Sequence, residues 1–216
     1  MGEDLGGGGL SSAACEQYFT SLFDGQAVMA ILRGLDRAAT VALCERVWKA
    51  GVSVAEVTIE RAAAQASLRA AVESGRRLSR PVGAGTVTSC EQVEAARAAG
   101  AAFTVAPGLD ERVARASLEA GLPHLPGVAT PTEVQHAVSL GFWWLKLFPA
   151  RELGPGWIRA ILGPFPDLRI VATGGVGPDS AGEFLAAGAR VVAVGGNLSK
   201  PGAIEALARL PAPTEP

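Results

Sequence analysis

From Val28 onward the chain repeats one unit: a short apolar, often β-branched run, then an Ala-rich amphipathic segment, with Gly, Pro or a capping residue at each junction. Such runs read as strands and the segments between them as helices, and their regular alternation builds a parallel sheet covered by helices. The strand candidates are 28–33, 54–59, 81–86, 103–106, 123–127, 143–148, 169–173 and 191–195. Between them lie helical patterns such as 91–99, with Val93, Ala96 and Ala99 on one stripe, and 132–140, with Val134, Ala137 and Val138 together. Helix starts are expected at Asp36, Ser89, Asp110, Thr130 and Asp179, and stops at Gly51, Gly100, Gly121, Gly141 and Gly188.

About eight strand and helix units fit a chain of 216 residues with loops of ordinary length. The pattern therefore predicts the α/β class, as a single-domain (β/α)8 TIM barrel. An open doubly wound sheet competes, but no G-x-G-x-x-G follows the first strand, and Gly83-Ala84-Gly85-Thr86 lacks the third glycine. Residues 1–20 read as a flexible Gly-rich N-terminus leading into an N-terminal helix, 21–210 as the barrel, and 211–216 as a loose tail.

Composition narrows the function classes. With 49% hydrophobic and 19% charged residues and a net charge of −2, the chain offers no basic surface for nucleic acid. No apolar run reaches the length of a membrane span. The N-terminus is acidic and glycine-rich where an export signal would be basic and then apolar, and Cys15, Cys44 and Cys90 lack any C-x-x-C spacing. A cytoplasmic protein is expected. His124 and His136 form no His/carboxylate motif and read as surface or loop residues, so neither a metal nor another cofactor is implied.

Barrel active sites form at the C-terminal ends of the strands, and here those ends are polar. Lys146 sits in the apolar run 141–150. A lysine amine in an apolar interior is destabilised when charged, and the neutral amine attacks carbonyl carbons; the alternative is a packed stem with the ammonium in water. Period-two alternation sends Lys146 and Phe148 to the face opposite Leu145 and Leu147, and Glu56 and Thr58 to the face opposite Val57 and Ile59. Lys146 and Glu56 are thus expected to share one lumen, either as reacting groups or as a structural ion pair. Gly174-Gly175 and Gly195-Gly196 follow strands seven and eight, where barrels commonly bind phosphate on bare backbone amides.

These residues resemble the pyruvate-dependent class I aldolases that cleave 2-keto-3-deoxy-6-phosphogluconate (KDPG), a family that also includes 4-hydroxy-2-oxoglutarate and phosphogalactonate aldolases. The stretch Gly141 to Gly154 matches the family's lysine motif, and Gly83 to Val87, Pro126-Gly127 with Thr130 to Glu133, and Thr173-Gly174-Gly175 look like further family blocks. The resemblance implies a metal-independent lyase, typically a homotrimer, that releases pyruvate and a phosphorylated aldehyde such as glyceraldehyde 3-phosphate. It implies that Lys146 forms the Schiff base and that Glu56 moves protons through a water. Thr86 would hold the keto-acid carboxylate region, Phe148 and Thr173 would line the substrate pocket, and Gly174, Gly175, Gly195, Gly196 and Asn197 would receive the phosphate.

Two positions depart from the family pattern. Many members carry an arginine for the substrate carboxylate where this chain has Glu60, and Arg61, one place later, falls on the other face. Arg33, at the end of strand one, is expected to take that task. Asn197 stands where several relatives place a serine beside the phosphate. Three other readings remain at this stage: a 4-hydroxy-2-oxoglutarate or phosphogalactonate aldolase, a barrel isomerase or epimerase, and a non-catalytic sugar-phosphate-binding barrel.

Overall fold

The computed structural model describes residues 9–212. Residues 213–216 of the expected tail and most of the Gly-rich start therefore lie outside the described residues. Nine parallel strands run β1 (Val28–Leu32), β2 (Val54–Thr58), β3 (Val82–Gly85), β4 (Thr104–Val105), β5 (His124–Leu125), β6 (Gly127–Val128), β7 (Trp144–Leu147), β8 (Arg169–Thr173) and β9 (Ala189–Val194). Their spatial order is β5-β4-β3-β2-β1-β9-β8-β7-β6. Its two ends, β5 and β6, are consecutive in sequence, parted only by Pro126, so the ring closes as an eight-staved barrel.

One uninterrupted strand was expected over 123–127. Proline lacks an N–H, so it cannot donate to the ladder at that point. Its carbonyl still accepts from Lys146 N at 2.9 Å, while Leu125 O accepts from Ala106 N at 3.0 Å on the other side. Both neighbours stay attached and the barrel does not open.

The helices are α1 (Ser12–Leu22), α2 (Arg37–Lys49), α3 (Ala64–Arg77), α4 (Cys90–Ala99), α5 (Glu111–Glu119), α6 (Pro131–Ser139), α7 (Ala150–Leu153), α8 (Pro155–Leu162), α9 (Pro178–Ala186) and α10 (Ala203–Ala208). None among the described residues is long and apolar enough to cross a membrane. Asp36, Ser89, Asp110 and Thr130 cap α2, α4, α5 and α6 as their positions predict, Thr130 in a reciprocal box with Glu133. Asp179 does not. Pro178 opens α9, since its fixed φ suits the first helical position, so Gly177 is the cap and Asp179 falls in the first turn.

Helix α1 closes the N-terminal end of the barrel. Phe19 meets the Phe103 ring edge-on at 5.8 Å, and Phe23 lies 5.1 Å from Trp144. Glu16 Oε1 accepts from Trp143 N at 2.9 Å and Trp144 N at 3.3 Å, and Trp144 Nε1 donates to Thr20 Oγ1 at 3.2 Å. These contacts pack α1 across the N-terminal end, opposite the polar C-terminal ends of the strands.

His124 corrects an expectation. It is buried at 1% exposure rather than lying at the surface, because Cys15 of α1 and Phe142 cover β5. Nδ1 is 2.8 Å from Thr104 Oγ1, while Nε2 has no hydrogen-bond partner. His136 is the exposed one, 3.7 Å from Glu111.

Burial pushes the His124 imidazole down to about 4 from its ordinary 6.5. Between these values the unfolded chain binds a proton that the folded chain refuses, so stability falls as pH drops through the window. Relative to a His124→Gln variant, the wild type should lose about 3 kcal/mol of unfolding free energy between pH 7 and pH 4. Denaturant titrations of both proteins at several pH values will read the difference, and parallel curves would contradict the assignment.

Candidate active site

Strand register decides which side chains meet. Glu56 on β2 lies opposite Ile31 of β1 and Gly83 of β3, and Lys146 on β7 lies opposite Gly127 of β6 and Val171 of β8. Both are buried, Glu56 at 0% and Lys146 at 3% exposure. Alternation along each strand turns both into the lumen. Lys146 Nζ stands 5.5 Å from the Phe148 ring centroid, so an aromatic face screens the amine from water.

The neighbouring strand is shaped around Glu56. A Cβ on Gly85 would collide with the Glu56 carboxyl group, so only glycine leaves it room. Both carboxyl oxygens are buried without a hydrogen-bond partner. A buried carboxyl with no protein partner is left to hydrogen-bond a water or a substrate group. Burial raises the Glu56 pKa above the ordinary carboxylate range, opposed first by the charge of Lys146 and then by that of Arg33. The amine thus acts on the carboxyl electrostatically, with no hydrogen bond between them.

Around the mouth, Arg33 extends from the end of β1 and donates through Nη2 to Thr86 Oγ1 at 3.2 Å. Thr86 itself has φ +58°, a left-handed conformation uncommon for a β-branched residue, which turns its hydroxyl toward the arginine. Thr173 is buried at the end of β8. Glu60 and Arg61 lie exposed in the turn after β2. Burial raises the Glu60 pKa, but the Thr58 hydrogen bond, its own backbone and the charges of Arg33 and Arg61 outweigh this and leave it lowered. Of the two arginines, Arg33 is the one bonded to another of the expected site residues.

Across the lumen the turn after β8 adopts φ +98° at Gly174 and +73° at Gly175. A Cβ on Gly174 would come within 2.9 Å of the Phe148 ring, so this turn and the residue screening Lys146 are packed together. Asn197, after β9, donates through Nδ2 to Val176 O at 3.4 Å and lies against Gly177. It ties the two turns to each other. Gly195 and Gly196 lie in the β9 turn with no tight contact of this kind. Arg151, outside the sequence expectations, packs its stem across Gly175. Its position follows from the left-handed turn, which sequence spacing does not reveal.

Comparison with known proteins identifies relatives of the whole barrel. A family model described as "Aldolase: KDPG and KHG aldolase" matches residues 20–208. A 2-dehydro-3-deoxy-phosphogluconate aldolase of Pseudomonas aeruginosa is 37% identical over 155 residues, 71% of this chain and 69% of that protein. A probable 2-dehydro-3-deoxy-6-phosphogalactonate aldolase of Rhizobium meliloti is 35% identical over 176 residues, 81% of this chain and 82% of that one. Among solved structures, KDPG aldolase from Legionella pneumophila, with pyruvate captured at low pH as a covalent carbinolamine intermediate, superposes with a TM-score of 0.78 at 26% identity. That likeness covers 87% of this chain and 93% of the other.

The fit between Gly85 and Glu56 has a measurable consequence. Gly85→Ala should destabilise the fold by about 2 kcal/mol through overpacking, and the penalty should shrink by about half or more in a Glu56→Ala background. Equal penalties in the two backgrounds would show that the carboxyl group is not what fills the space.

Proposed function

Because the chain belongs to the KDPG and KHG aldolase family, and is therefore an aldehyde-lyase, we propose that it cleaves a 2-keto-3-deoxy-6-phospho sugar acid through a Schiff base on Lys146. The preferred substrate in this reading is 2-keto-3-deoxy-6-phosphogluconate, split reversibly to pyruvate and glyceraldehyde 3-phosphate. The working unit is the barrel of residues 21–210, assembled as the homotrimer that the family likeness implies. One observation carries the reading: a buried lysine and an unpartnered buried glutamate share a lumen closed at one end.

The residues divide the work as follows. The Lys146 amine attacks C2 of the keto acid, and loss of water from the carbinolamine leaves an iminium. A base takes the proton of the C4 hydroxyl, the C3–C4 bond breaks, and its electron pair passes into the iminium to give an enamine. The aldehyde departs, C3 is protonated, and hydrolysis frees pyruvate and the amine. Covalent attachment splits a hard step into easier ones by supplying this electron sink. Glu56 is the base and then the acid, acting through a water in the space beside Lys146. Its raised pKa brings the carboxyl nearer to neutrality, where proton transfer in both directions is efficient.

Arg33 and Thr86, joined at 3.2 Å, form the site for the C1 carboxylate, since a guanidinium holds a carboxylate through paired hydrogen bonds. Phe148 and Thr173 line the pocket. Gly174, Gly175, Gly195, Gly196 and Asn197 receive the phosphate, where bare backbone lets amides approach an anion. No step calls for a metal.

A second substrate reading has its own support. The probable phosphogalactonate aldolase matches 81% of this chain, against 71% for the phosphogluconate enzyme of Pseudomonas aeruginosa, at nearly equal identity. Pyruvate release from the two C4 epimers, and from 4-hydroxy-2-oxoglutarate, separates the possibilities by kcat/KM.

Lys146→Met should abolish both turnover and the adduct trapped by borohydride with pyruvate. Glu56→Gln should slow turnover by about a hundredfold or more while the adduct still forms. Arg33→Ala should raise KM for the keto acid about tenfold, and Arg61→Ala should leave it unchanged. An adduct on the Lys146→Met protein would overturn the assignment of the nucleophile, and the reverse pattern in the arginine pair would return the carboxylate site to Arg61.

A further inference from the structure

The geometry points to Arg151 as the side-chain cation that holds the substrate's phosphate monoester and sets the preference for phosphorylated over unphosphorylated aldols. This rests on the reading of the β8 and β9 turns as the phosphate end and adds a residue that the family likeness does not supply.

Its root is fixed against the turn. Arg151 N donates to Gly174 O at 2.9 Å, which pins the start of α7 to the turn after β8. The side chain then crosses Gly175, where a Cβ would lie 2.6 Å from Arg151 Cβ and 2.7 Å from Cδ. Glycine there serves two needs, the left-handed φ of +73° and the space for the arginine stem. A stem packed on backbone has lost much of its freedom already, so less entropy is lost when its head binds an anion.

The head is also uncommitted. Arg77, Arg97, Arg112, Arg115 and Arg169 each face a carboxylate within 4.0 Å, whereas no carboxylate among the described residues pairs with Arg151. It is exposed, on a stem that lies against the Gly175 backbone.

The other candidate side-chain donor is uncharged and partly committed. Asn197 spends one Nδ2 hydrogen on Val176 O and its carbonyl oxygen can only accept, so it offers the anion one neutral hydrogen bond and no charge. A phosphate dianion gains most from charge-assisted hydrogen bonds, and a guanidinium matches its oxygens in pairs. Lys200, exposed in the segment after β9, is the competing cation.

The test measures kcat/KM for a phosphorylated aldol and its unphosphorylated counterpart in wild type, Arg151→Gln, Arg151→Lys and Lys200→Gln. Arg151→Gln should lower the ratio of the two about tenfold, through KM for the phosphorylated substrate. Inorganic phosphate should inhibit this variant more weakly by a similar factor. Arg151→Lys should recover part of the ratio, because a point charge remains without the paired geometry, and it serves as the readout if the glutamine variant does not fold. A wild-type ratio near one would overturn the phosphate reading itself. A high wild-type ratio that Arg151→Gln leaves unchanged, or that Lys200→Gln removes, would overturn only the role of Arg151.

Discussion

The structure depends on placing a carboxyl group and an amine inside the same closed ring of strands. Glu56 gains no hydrogen bond from another protein group there, and the charges of Lys146 and Arg33 and the missing side chain at Gly85 make its position tolerable. A pair of well-packed apolar residues would hold a barrel together as well or better, since desolvation of two ionisable groups is repaid only by excellent geometry. The arrangement makes sense as chemistry, because a desolvated carboxyl near an amine is suited to pass protons to whatever lies between them.

Stability is secured at the other end. The aromatic cluster of Phe19, Phe23, Phe103 and Trp144, and the bonds from Trp143 and Trp144 to Glu16, stopper the barrel with α1. Barrels of this type separate the two tasks, packing at the N-terminal face and reacting at the C-terminal one. Thr86, with its left-handed backbone and its bond to Arg33, lies on the reacting side.

The barrel and the pairing of Lys146 with Glu56 are legible in the sequence because both rest on periodicity. A five-residue strand such as Val54–Thr58 fixes the face of Glu56 by parity alone. The burial of His124 is not legible. It belongs to a two-residue strand, too short to show a period, and what covers it comes from α1 and Phe142, distant in the chain. The break at Pro126 was available in principle, from a residue with no N–H inside an apparent strand, but the pairing that keeps the ring closed across it is tertiary. Asp179 illustrates a local conflict in which the proline before it outranked a good capping residue. The approach of Arg151 to Gly175 depends on a left-handed turn that no spacing rule reports.

The joint action of Lys146 and Glu56 is tested most directly by proton NMR of pyruvate in D2O, with the protein present and no aldehyde. The enamine formed on Lys146 should exchange the methyl protons for deuterium, and Glu56→Gln should slow that exchange about a hundredfold although the amine is intact. Exchange at the wild-type rate in Glu56→Gln, or none in the wild type, would contradict the pairing on which the account rests.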